Sequence, residues 1–187
     1  MRKIGALVLL FIVTLPGCSG ASKEIQRAMD LRALLLRAKS VTFDADITAD
    51  YGDKLYTFSL SCVSDERGDV GFTVTAPETI LGITGHISRE SGKLTFDDTA
   101  LQFDTLADGQ VTPVTAPWIF LRTLRGGCLT AAGVEGEQLR LTIDDRYEDD
   151  ALQTDIWLSS DDIPLRCEIL YGGRRILTLS VSNFQIS

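Results

Sequence analysis

"VTFDADITADYGDKLYTFSLSC" (residues 41–62) is the stretch on which the fold turns. Val41, Phe43, Ala45, Ile47 and Ala49 alternate with Thr42, Asp44, Asp46, Thr48 and Asp50. After the turn "YGDK" (51–54), Tyr56, Phe58, Leu60 and Cys62 alternate with Thr57, Ser59 and Ser61. A period of two sends successive side chains to opposite faces, so each run is a strand with one apolar and one wet face. Gly52 supplies the positive φ that a tight turn needs. The stretch predicts a half-exposed antiparallel hairpin.

The same pattern continues outward from it. Val70, Phe72 and Val74 repeat it, then Ile83 and Ile87, then Leu94 and Phe96 after the "ESGK" turn, then Leu101 and Phe103. Further strands are expected at about 129–134, 137–144, 151–158, 163–171 and 174–184. Their apolar faces carry Leu139, Leu141 and Ile143, then Leu152, Ile156 and Leu158, then Leu165, Cys167, Ile169 and Tyr171. In the last strand the apolar parity moves from Leu177, Leu179 and Val181 to Phe184 and Ile186, which predicts a bulge near Asn183.

Two segments depart from period two. Residues 23–39, "KEIQRAMDLRALLLRAK", read as a helix capped by Ser22, with Glu24 in the first turn. Ala28, Leu31, Leu34, Leu35 and Ala38 share its core face; Gln26, Asp30 and Arg37 lie opposite. In "TAPWIFLRTLRGG" (115–127), Pro117 suits a first helical turn, Trp118, Leu121 and Leu124 share a face, and Gly126-Gly127 end it. A one-sided sheet of this size must cover its apolar face, and these two helices are the available cover. About ten strands also tend to curl. The expected fold is α+β and mainly antiparallel β: a strongly curved sheet or unclosed barrel wrapping the N-terminal helix and the short mid-chain helix. Residues 23–187 are expected to form a single domain.

Composition narrows the chemistry. The chain of 187 residues has a formal net charge of −8, and residues 1–17 hold no charge besides Arg2 and Lys3, so the remainder is more acidic still. Such a chain is repelled by phosphate backbones, which excludes nucleic acid as a partner, and no basic footprint for peripheral membrane binding is expected. The one histidine, His86, falls on the outward parity between Ile83, Gly85 and Ile87. It has no histidine or paired cysteine with which to hold zinc. No nucleophile elbow, zinc-protease helix motif, Walker loop or dinucleotide fingerprint occurs. The acidic clusters Asp97-Asp98, "DDRYEDD" (144–150) and Asp161-Asp162 sit at strand ends, where Asp serves turn geometry, and none has calcium-loop spacing. No catalytic residue and no metal site is therefore expected, and the protein reads as a non-enzyme. Cys62 and Cys167 fall on apolar strand parity as small buried hydrophobes. With Cys128 they make three cysteines after Cys18, an odd number that cannot pair completely; one disulfide involving Cys128 is left open.

The N-terminus gives the location. Basic Met1-Arg2-Lys3 precedes an apolar run from Ile4 to Leu15, a signal peptide too short to span a bilayer of about 30 Å. Leu15-Pro16-Gly17-Cys18 then resembles the bacterial lipobox. That resemblance implies removal of residues 1–17, a covalent diacylglycerol on Cys18 and often an acyl chain on the new amino terminus. No other cofactor is expected. Multiple acyl chains supply stable membrane attachment. The protein is expected to be exported and anchored on the extracytoplasmic side of a bacterial membrane. Residues 18–22 make a tether reaching only about 15 Å.

The stretch "DIWLSSDDIPLRCEILYGGRRILTLSVSNFQI" (155–186) resembles the C-terminal end of the lipoprotein-carrier superfamily, the LolA/LolB-like domains and related lipid-carrying or sporulation lipoproteins. The order of helix, strand meander, mid-chain helix and strands fits that resemblance across most of 22–187. It implies an unclosed barrel around helices with a cavity that accepts acyl chains, and the anchored, receptor-like branch. The function expected is therefore non-catalytic binding of a lipid or lipidated protein at the membrane. Candidate cavity-lining residues are Phe43, Phe58, Phe72, Phe96, Trp118, Leu121, Ile143 and Ile156. The alternative is an accessory scaffold that holds a cell-wall or sporulation enzyme of the envelope.

Overall fold

The computed structural model of the protein describes residues 22–89, 91–96, 99–104, 106–107, 110–145 and 152–187. Cys18, Asp97, Asp98 and residues 146–150 of the acidic stretch lie outside the described residues. Helix α1 (Lys23–Arg37) begins where Ser22 accepts a hydrogen bond from the Ile25 N–H at 3.3 Å. It is followed by β1 (Ser40–Asp50), β2 (Leu55–Asp65), β3 (Val70–Ala76), β4 (Thr84–Ile87), β5 (Gly92–Phe96) and β6 (Thr99–Phe103). A minimal hairpin, β7 (Leu106–Ala107) and β8 (Gln110–Val111), leads into α2 (Ala116–Gly126). The chain finishes with β9 (Cys128–Glu135), β10 (Gln138–Asp145), β11 (Leu152–Leu158), β12 (Pro164–Tyr171) and β13 (Arg174–Ile186).

Eleven strands form one antiparallel sheet in the order β6-β5-β4-β3-β2-β1-β13-β12-β11-β10-β9. Its edges, β6 and β9, do not pair with each other, so the barrel stays open as expected. Two meanders, β1–β6 and β9–β13, meet down the middle, where Val41 faces Ile186 and Ala49 faces Leu177. The expected bulge is present there. Thr42 faces Gln185 and Asp44 faces Ser182, so two residues of β13 oppose one of β1. Asn183 takes φ 52° at that point and donates from its amide to Asp44 at 2.7 Å.

The inward parity of the central strands builds the core. Val41, Phe43, Ala45, Ile47, Leu60, Cys62, Val70, Phe72, Leu139, Leu141, Ile143, Ile156, Cys167, Ile169, Leu177 and Leu179 are all buried. Helix α2 lies against β10, β12 and β13, and α1 packs on α2 and β9. Phe120 of α2 meets Phe43 edge-on at 5.6 Å and Phe184 at 6.3 Å, joining helix and central seam. The helix is buried nearly all round, Ile119, Phe120 and Thr123 included, and not only on the face of Trp118, Leu121 and Leu124. Thr123 is tolerated in the core because its hydroxyl bonds the Ile119 carbonyl at 2.9 Å.

Several inward assignments change. Leu34 of α1 is 56% exposed, because α1 meets α2 and β9 through the narrower stripe of Ala28, Leu31 and Leu35. Phe96 and Leu101 share the concave face yet are 56% and 62% exposed. Both helices lie over the β9–β13 half of the sheet and the seam, so the β4–β6 arm has no helical cover. On the outer face Trp157 is buried instead of wet. Arg140 and Arg166 cover its ring at 5.3 and 4.9 Å, and its Nε1–H donates to Glu135 at 3.1 Å.

Candidate functional site

Burial along β2 locates the site. Leu60 and Cys62 are sealed in the core, Phe58 is half-buried, and Tyr56, on the same parity, is 48% exposed. The core thus ends toward the β1–β2 turn, and the concave surface beyond it stays apolar. The single helical turn Glu78–Ile80 on one side and residues 111–114 on the other rise above that surface as walls. Between them lies a groove of about 460 Å3, lined by Tyr51, Tyr56, Phe58, Val74, Ile80, Ile83, Leu94, Val111, Thr112, Pro113 and Val114. Among the described residues no charged side chain lines it. Its polar groups are largely spoken for: the Tyr51 hydroxyl donates to the Val111 carbonyl at 2.5 Å and the Thr112 hydroxyl to the Asp104 carbonyl at 2.8 Å. Burial against those walls raises the pKa of Tyr51, keeping it a neutral donor. None of the described lining side chains has a buried polar atom without a hydrogen-bond partner, so the groove is suited to recognising shape and apolarity.

The structure separates the candidate lining residues. Phe58 lines the groove, Trp118 lines a second cleft at the other end of the strands, and Phe96 lies exposed on the uncovered arm. Phe43, Phe72, Leu121, Ile143 and Ile156 are sealed in the core. Sequence reasoning missed Tyr51, Ile80 and Val114, which lie off the strands, and Val111, in the two-residue strand β8. The available signal was the unusual apolarity of two connecting segments, "TIL" at 79–81 and "VTPV" at 111–114. The second cleft has a volume of about 600 Å3 and is bounded by the end of α1, the C-terminal half of α2 and the turns at 66–69 and 89.

His86 is exposed on the outward parity. Among the described residues no group of three or more His, Cys, Asp or Glu is placed to hold a metal ion. Asp145 pairs with Arg122, and Asp162, at φ 61°, accepts from the Arg27 Nε at 2.8 Å, tying α1 to the β11–β12 turn. Cys62, Cys128 and Cys167 are free thiols, the first and last buried. No helix among the described residues is long and apolar enough to cross a membrane.

Fold and groove together define a class: an open antiparallel sheet folded around two helices, with an apolar groove on its helix-free arm. No family model matches the chain, and no curated protein matches it. Among solved structures the chain is similar to a LolA superfamily protein from Nitrosomonas europaea, at 9% identity and TM-score 0.48 over 89% of this chain and 94% of the other. It is also similar to the lipoprotein LppX of Mycobacterium tuberculosis, at 16% identity and TM-score 0.42 over 86% and 92%. A chain from the complex of the CwlD amidase with the GerS lipoprotein of Clostridioides difficile matches at 10% identity and TM-score 0.43, over 89% and 98%.

Proposed function

We propose that the protein is a cell-envelope lipoprotein, anchored through Cys18, whose domain binds an acyl chain of a lipid or lipidated protein without transforming it. The observation that carries this reading is the groove of about 460 Å3, which has no charged side chain among its described lining residues. That volume falls in the range of small-molecule sites. Each methylene withdrawn from water gains about 0.8 kcal/mol. A polar ligand would lose its hydration against walls whose hydroxyls are already engaged, so an alkyl chain is the better occupant.

The full-length protein, purified with its membrane lipids and analysed by native mass spectrometry, is expected to retain non-covalent lipid. A fluorescent fatty-acid probe should bind it and be displaced by unlabelled fatty acid. Ile80→Asp, a half-buried position on a one-turn wall, should weaken the probe by at least about tenfold through burial of a charge. Absence of retained lipid together with unchanged probe binding in that variant would refute the reading.

A further inference from the structure

The second cleft has no role in that reading. It lies at the 66–69 end of the strands, away from the groove, and four arginines line it: Arg67, Arg89, Arg122 and Arg125. Arg122 is committed to Asp145 and stacks on Trp118 at 4.6 Å. Arg125 donates from both terminal nitrogens to the Asp65 carbonyl, at 3.3 and 3.2 Å. Its Nε is a buried donor with no acceptor among the described residues, a cost that an anion met by rotation of the side chain would remove. Arg67 and Arg89 are exposed and form no ion pair among the described residues. Glu66 and Asp69 are the remaining acids of the lining, and Leu36, 63% exposed, gives it an apolar lip.

The helix leading to this cleft has the same character. Lys23, Arg27, Arg32 and Arg37 of α1 outnumber Glu24 and Asp30. Ile25, Met29 and Leu36 fall on one face and are 37%, 44% and 63% exposed. With Arg27 engaged by Asp162 and Arg32 by the end of α2, Lys23 and Arg37 remain beside uncovered apolar surface on the helix nearest Cys18. The tether reaches about 15 Å, and α1 spans about 22 Å from Ser22 to the cleft, so helix and cleft mouth can meet one bilayer together.

We propose that the cleft takes the headgroup phosphate of an anionic membrane lipid, one whose phosphate charge no choline balances, with the exposed face of α1 laid along the bilayer. Guanidinium groups suit the fork geometry of phosphate oxygens, and Leu36 would rest among the glycerol and upper acyl carbons. The proposal rests on anchoring through Cys18 and is independent of the apolar groove.

The test uses full-length lipidated protein in nanodiscs of phosphatidylcholine, with or without phosphatidylglycerol, read by hydrogen exchange. With phosphatidylglycerol present, amides of 66–69 and the end of α2 should slow about tenfold. Arg67→Glu with Arg89→Glu should abolish the difference, while Arg67→Lys with Arg89→Lys should keep most of it. Equal exchange in both nanodiscs, protection that survives the charge reversal, or equal protection from soluble glycerophosphate in phosphatidylcholine discs would overturn the proposal. So would an N-terminal peptide lacking acyl mass. Failure of the groove reading would show instead as absence of retained lipid, with these exchange rates unaffected.

Discussion

At Gly85 the backbone of β4 passes directly over the Phe72 ring, and a Cβ there would stand 2.1 Å from it. The pairing of Phe72 with Gly85 across β3 and β4 makes the two a matched large-and-absent pair. Gly85→Ala is expected to displace the ring and cost about 1–3 kcal/mol, measured as a lowered midpoint of chemical unfolding. The cysteines divide just as sharply. Desolvation pushes the thiols of Cys62 and Cys167 far above the ordinary range, aided by Asp44 for the first and by Asp155 and Glu168 for the second. Alkylation of the native protein at mildly alkaline pH should modify exposed Cys128, while Cys62 and Cys167 react only on unfolding. Inward parity at both places was legible in the sequence, since Gly85 and the two cysteines sit in alternating runs. That Phe72 needs the space of Gly85 depends on register, which alternation alone does not set.

Among the elements, α2 is the one whose end is held by another. Arg32 of α1 donates from Nε to the Leu124 carbonyl and from a terminal nitrogen to the Gly127 carbonyl, both at 2.8 Å. These are carbonyls of the last turn that α2 itself leaves unpaired, where a cation is also favoured by the helix dipole. Burial lowers the pKa of Arg32, yet it stays charged at any physiological pH. Arg32→Ala should cost about 1–2 kcal/mol and speed amide exchange in the last turn of α2 before the sheet opens. Both helices were legible from their periods and caps. Their mutual packing was not: the sequence shows Arg32 as one more polar residue, and places Leu34 with the core although α1 turns it outward. Groove residues such as Ile80 and Val114 escaped for a related reason. They lie in irregular connections, where no period marks an inward side.

Across the whole molecule, the net charge of −8 conceals a local gathering of arginines at one end of the strands. Composition argued against any basic membrane footprint, because a sum has no positions; the fold assembles Arg67, Arg89, Arg122 and Arg125 from three separate segments. Sheet order was likewise beyond the sequence. Alternation predicts a meander, but only the structure brings the first and last strands together in the middle. Removing β13 would therefore split the sheet and not merely trim an edge. A chain ending at Gly172 is expected to lose the fixed near-ultraviolet dichroism of Trp118 and Trp157, since the core under β1 loses Leu177, Leu179 and Val181.

The seam also bears on when the chain can close. Val41 leaves the ribosome well before its partner Ile186, so the central pairing cannot form until both meanders between them have been made. Contacts so distant along the chain are slow to close. A polypeptide that withholds its final closure in this way stays open for longer than one whose strands pair only with near neighbours, and its two meanders must each hold an unfinished edge until they meet.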